Sequence, residues 1–150
     1  YWIENLKYLP EKTREIWEER INFSNKNINP KQKDFSDWVQ RTTKEMHDYG
    51  IEFMAGTDTP LGFLIPGFSL HIELELLVES GMSELDAIKT ATINPSRYFN
   101  MENYLGLIKE GYIADLILLN TNPLENIKNT LDISLVVKDG KVYEDPLEID

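Results

Sequence analysis

The sequence has no cysteine and only two histidines, His47 and His71. Disulfides and thiolate-held metals are therefore excluded. A catalytic zinc needs three or more protein ligands in near-tetrahedral order, and two unclustered histidines cannot complete one. No apolar run approaches the roughly 20 residues that span a bilayer, and the start carries no secretory pattern, so no membrane partner is expected. A soluble, cytoplasmic location is the expectation, since a cysteine-free chain suits a reducing compartment. Basic residues are scarce as well. With 15 Lys and Arg against 26 Asp and Glu, the net charge is −11, and the averaged field repels phosphate backbones. Nucleic acid is not an expected partner. Also lacking are a phosphate-binding glycine loop, a dinucleotide fingerprint, a Gly-x-Ser-x-Gly elbow, internal repeats and low-complexity tracts.

What is present is a globular composition, 41% hydrophobic and 27% charged over 150 residues, enough for one sizeable core. The chain starts at Tyr1 rather than Met, which reads as a piece excised from something longer.

Pro10 opens a predicted first helix over residues 9–21, with Ile16, Trp17 and Ile21 as a narrow apolar stripe. Residues 22–29 read as a surface loop. Asn29-Pro30 supplies a cap and a first-turn proline for a long amphipathic helix, whose buried face is Phe35, Trp38, Val39, Thr42, Met46 and Tyr49. Gly50 ends that helix, and residues 51–55 read as a short buried strand. Helix, glycine and buried strand together make one step of an α/β fold. The segment 59–69, with Pro60, Gly62, Pro66 and Gly67, is a loop of the kind that lines a binding crevice. A helix from Ser69 to Gly81 follows, with Leu70, Leu74, Leu77 and Val78 on one face. Ser83 and Asp86 form a capping box for the next, which buries Ala87, Ile88 and Ala91. Asn94-Pro95 restarts the pattern, and Tyr98 and Phe99 close a short third helix.

From Gly106 the grammar changes to apolar runs over 113–119 and 133–137, the latter leading through Asp139-Gly140 into Val142-Tyr143. Asp-Gly between two apolar runs is a strong hairpin signal, because a type I′ turn needs positive φ at both central positions. A boundary is placed near Asn103, giving residues 1–103 an α/β architecture and residues 104–150 small antiparallel strands.

Asp58, at the end of the predicted strand and flanked by Gly56 and Thr57, is the leading candidate for chemistry, as a proton shuttle or metal ligand. The competing reading is a carboxylate that caps its own turn. His71 opens the following helix and is a candidate for the same pocket; its alternative is a structural pair with Glu75 one turn later. His47 is read as a surface residue, and Asp115 and Asp139 as structure of the β region.

Six ordered pieces carry a resemblance: Gly56-Thr57-Asp58; Pro66 to Leu74; Gly81-Met82-Ser83 with Ala87; Ala91 to Ser96; Gly106 with Lys109 to Leu116 and Asn122-Pro123-Leu124; and Val137 to Lys141. Together they resemble the C-terminal part of a metal-dependent amidohydrolase of the imidazolonepropionase-like and prolidase-like branch, over residues 50–143. The resemblance implies that residues 1–103 are the last part of a (β/α)8 barrel, with 51–55 as its final strand, and that residues 104–150 belong to a composite β-sandwich. It further implies a hydrolase of non-peptide C–N bonds in small-molecule amides. In that family the aspartate at the end of the eighth strand contacts a divalent metal, typically zinc, and moves a proton from the attacking water to the leaving nitrogen. Asp58 matches that position, whereas the family's other ligands have no counterpart here.

On this reading the chain alone is inactive and binds no metal, and its unpaired strand edges favour self-association. A prolidase-like dipeptidase, a non-enzymatic protein-interaction module, and a hydrolase pairing Asp58 with Glu73 or Glu75 remain as alternatives.

Overall fold

The computed structural model describes residues 2–26, 30–59 and 62–144. A 3-10 helix, Trp2–Tyr8, leads into α1 (Glu11–Lys26) and α2 (Pro30–Asp48). Then come α3 (Ser69–Glu79), α4 (Glu84–Thr90) and α5 (Ile93–Tyr98), followed by β1 (Leu116–Leu119), a second 3-10 helix (Ile127–Leu131), β2 (Ile133–Lys138) and β3 (Lys141–Tyr143).

α1 runs through Asn22 to Lys26, where a loop was expected. An asparagine costs a helix only about 0.7 kcal/mol against alanine, too little to stop one already nucleated. The rest of that expected loop, including the cap Asn29, lies outside the described residues. α2 begins at Pro30 as predicted, but its apolar stripe is not buried: Phe35 is 63%, Trp38 51% and Tyr49 88% exposed. Periodicity identifies a face suited to burial; it cannot supply the partner that covers it.

Gly50, at φ +80, ends α2 in a Schellman motif in which Ile51 N donates to Met46 O (3.1 Å) and Gly50 N to His47 O (2.8 Å). Residues 51–55 are extended, with Phe53 and Ala55 turned inward and Glu52 and Met54 exposed. They do not form the predicted buried strand. A ladder needs a neighbour, and among the described residues none lies alongside. The segment is instead tied to the helices: Ala55 N donates to Thr90 O (3.0 Å), Asn94 Nδ2 to Phe53 O (3.0 Å), and Arg97 pairs with Glu52 (3.2 Å).

α3 ends at Gly81 as expected, at φ +104. Ser83 caps α4 by accepting from Asp86 N (3.1 Å), but the Asp86 carboxylate accepts from the Ser83 hydroxyl (2.7 Å), not from the cap amide. α5 starts one residue before Asn94, with Thr92 at the cap position. Asn94 is spared capping duty and spends its amide on Phe53. Tyr98 and Phe99 meet edge to face at 5.1 Å but stay exposed.

The sheet is antiparallel in the order β1-β2-β3, pairing Leu116 with Val137 and Lys138 with Lys141. β1 is shorter than the predicted 113–119, because Asp115 leaves the ladder to brace the hairpin. Its carboxylate accepts from Asp139 N (2.7 Å) and pairs with Lys138, while Asp139 (φ +50) and Gly140 (φ +77) make the expected turn. Asp115 and Asp139 thus serve structure.

Leu74, Leu77, Met82, Ala87 and Ile127 form the main core, which joins α3 and α4 to the second 3-10 helix. A second cluster of Leu6, Trp17 and Ile65 takes Phe63 and Phe68 against it, with Tyr8 and Phe68 stacked at 5.1 Å. This cluster fixes the loop after residue 61 on the N-terminal helices. Gly106 permits the close approach of the C-terminal region to α5: at φ +92, a Cβ there would lie 2.9 Å from Thr92 O and 2.5 Å from Ser96 Oγ.

Candidate functional site

Asp58 stands at the carboxyl end of the extended segment with φ +51. Among non-glycine residues, Asp enters this left-handed region at modest cost, since its short side chain bonds locally. Thr57 Oγ1 and Thr59 Oγ1 lie 2.8 Å apart and close a small bridge around it. On one side is a hollow of about 410 Å³, whose rim is Gly56, Thr57 and Asp58 and whose far wall is α3.

α3 supplies that wall through Ser69, Ile72, Glu73 and Leu76, spaced i, i+3, i+4 and i+7. Leu74 and Leu77, on the neighbouring stripe, are buried in the core and hold the helix in place. Glu73 is half-buried, and its Oε1 accepts from Gly56 N at 3.4 Å, a long bond. Burial pushes the Glu73 carboxyl above the usual range. The Gly56 hydrogen bond opposes that shift, and the negative charge of Asp58 adds to it. Two carboxylates therefore line one hollow, and one of them is held in an environment that disfavours its charge, a pattern associated with functional sites.

The structure does not bring His71 to this hollow's lining. Its Nδ1 lies 2.9 Å from Thr130 Oγ1, and that hydroxyl donates to Ile127 O (2.8 Å). With the hydroxyl proton committed, Nδ1 must carry the proton and donate. Glu75 is not its partner; that carboxylate pairs with Lys128 at 2.7 Å. Burial lowers the His71 pKa. His47 is partly buried, where a surface position was expected, and its Nε2 is 3.9 Å from Asp86 Oδ2.

A second hollow, about 500 Å³, runs beneath residues 50–53 over Met82, Ile88, Ile93 and Leu107. Its charged rim is already spent in the Lys89–Asp86 and Arg97–Glu52 pairs. It offers an apolar floor without the convergent polar groups of a reaction site.

Among the described residues no group of three or more His, Cys, Asp or Glu is placed to hold a metal ion. Asp58 offers oxygen donors, but the residues present do not by themselves fit a metal centre. Glu73 is the site residue on which sequence reasoning put least weight. The signal was available: it is the one charged position in the stripe Ser69, Ile72, Glu73, Leu76.

The sequence profile of the amidohydrolase family matches residues 8–143. An ochratoxinase of Aspergillus niger is 39% identical over 102 residues, covering 65% of this chain and 20% of that protein. An adenine deaminase of Thermosipho africanus is 31% identical over 100 residues, covering 65% of this chain and 16% of that protein. A solved Xaa-Pro dipeptidase with bound methionine superposes with a TM-score of 0.65 at 33% identity, covering 71% of this chain and 26% of that one. The chain thus spans about a fifth of the length of the curated relatives it matches.

Proposed function

Because this chain belongs to the amidohydrolase family, we propose that it forms part of a hydrolase that cleaves C–N bonds in small-molecule amides, with Asp58 as proton shuttle. The single observation that carries the reading is the placement of Asp58 at the end of an extended segment, on the rim of a hollow walled by α3. Relatives named ochratoxinase, adenine deaminase and Xaa-Pro dipeptidase support the bond class.

We further propose that residues 1–103 are the last part of a (β/α)8 barrel and residues 104–150 the strands of a composite sandwich. Support comes from the 51–55 segment, which has no strand beside it among the described residues, and from the small share of each relative that the chain covers. Such a barrel would operate as a cytoplasmic, zinc-dependent enzyme. A divalent ion would supply an activated water and a polarised carbonyl. The described residues do not by themselves make a metal site. The contribution of this chain is a carboxylate within reach of a reacting water: Asp58 accepts a proton as the water attacks and returns it to the departing nitrogen. Exposed apolar side chains on α2, and a 51–55 segment without a strand partner among the described residues, support self-association of the isolated chain.

The test is a panel of three C–N substrates, N-acetylphenylalanine, methionylproline and adenine, offered with zinc to the full-length protein and to residues 1–150 alone. Turnover of one of the amides by the full-length protein and none by residues 1–150 supports the reading. Comparable turnover by the 150 residues alone would overturn the reading that they are only part of the enzyme.

A further inference from the structure

Among the described residues, the turn that carries Asp58 has few anchors. Upstream, Ala55 N is tied to Thr90 O at 3.0 Å; downstream, the Thr57–Thr59 bridge is internal to the turn. The contact that joins the turn to the opposite wall of the hollow runs from Gly56 N to Glu73 Oε1. Among the described residues a Cβ at Gly56 would meet nothing within 4 Å, so none of them packs closely around that residue. Glu73, by contrast, rides on a helix locked into the core through Leu74 and Leu77.

We propose that Glu73 is a positioning residue: by accepting the Gly56 amide, it holds the Gly56-Thr57-Asp58 turn against α3 and so aims Asp58 at the reacting atoms. The inference rests on the hydrolase reading of Asp58 for its catalytic consequence, but not for the contact itself. A side chain kept half-buried at a cost to its own ionised form needs a reason to be there, and the amide two residues before Asp58 is the partner it meets. Misplacing a reacting group by about 1 Å costs on the order of a hundredfold in rate, so even one long hydrogen bond at this point is consequential.

The chain carries eight glycines, so 15N-glycine labelling of residues 1–150 yields a spectrum in which Gly56 is identified by its loss in Gly56→Ala. Glu73→Ala should speed hydrogen exchange of the Gly56 amide roughly tenfold or more. Glu73→Gln, which keeps an acceptor oxygen, should leave exchange near wild type. Unchanged positions of the seven other glycine signals confirm that the fold is kept. In the full-length zinc-loaded protein, Glu73→Ala should lower kcat by roughly tenfold to a hundredfold with little change in KM, and Glu73→Gln should restore most of it. Gly56 exchange that is indifferent to Glu73→Ala would overturn the positioning role, as would a Gln variant as impaired as the Ala variant. If Asp58→Asn leaves activity intact, the hydrolase reading falls, while Gly56 exchange still decides the contact.

Discussion

His71 donates through Nδ1 to Thr130 Oγ1 at 2.9 Å, joining α3 to the 3-10 helix that precedes β2. Because the same hydroxyl donates onward to Ile127 O, the ring is held as one neutral tautomer. Burial lowers its pKa from the ordinary 6.5, so the unfolded chain binds the proton more readily than the folded one. Stability therefore rises with pH across that window and is lost as pH falls below 6.5 toward the lowered folded value. Urea midpoints at pH 7.5 and 5.5 should differ in wild type, and the part of the difference due to this ring should vanish in His71→Gln. An identical pH dependence in the two proteins would refute the assignment.

Glu73 carries the opposite sign. Its folded pKa is raised, so the folded state favours the protonated acid and loses stability as pH rises from the ordinary 4.5 through the raised value. Glu73→Gln should accordingly increase the urea midpoint at pH 7, with the gain disappearing below pH 4.5. A residue present only to support the fold would show a loss at pH 7 instead.

The core makes a simpler forecast. Leu74 is buried where α3, α4 and the second 3-10 helix meet, so Leu74→Ala should cost about 2–5 kcal/mol by denaturant unfolding. A loss under about 1 kcal/mol would mean that the two halves of the chain do not share this core.

Gly106 tests the seam between the helices and the C-terminal region. Its Cβ would strike the Thr92 carbonyl, and its φ of +92 is unfavourable for a side chain. Gly106→Ala should destabilise by about 1–2 kcal/mol from backbone conformation alone, with the clash added. A neutral result would show that α5 shifts freely.

These particular residues show how far the sequence was legible. The helices from Ser69 onward, the glycine ends at Gly50 and Gly81, the Ser83 cap and the Asp139-Gly140 hairpin follow from local chemistry, and the structure has them. Residues 51–55 read as a short buried strand yet formed none among the described residues, because a ladder depends on a neighbour that local sequence cannot supply. The α2 stripe was legible as apolar, but burial depends on a partner surface. Asn94 looked like a cap and is instead bonded to Phe53, 41 positions away. Tertiary contacts of this length also explain His71: the helical spacing suggested Glu75, whereas Thr130 lies 59 positions on. Glu73 is the one charged residue among Ser69, Ile72, Glu73 and Leu76, but its approach to Gly56 N is a tertiary contact across 17 positions that helical spacing does not reveal.

The central claim is the role of Asp58, and the most direct measurement is kcat of Asp58→Asn in the proposed longer enzyme assayed with added zinc, on whichever amide the wild type turns over. The account predicts a fall of about 100-fold to 10,000-fold, as expected when a general acid and base is removed, with the fold intact by circular dichroism. A variant that keeps kcat within about threefold of wild type would contradict it.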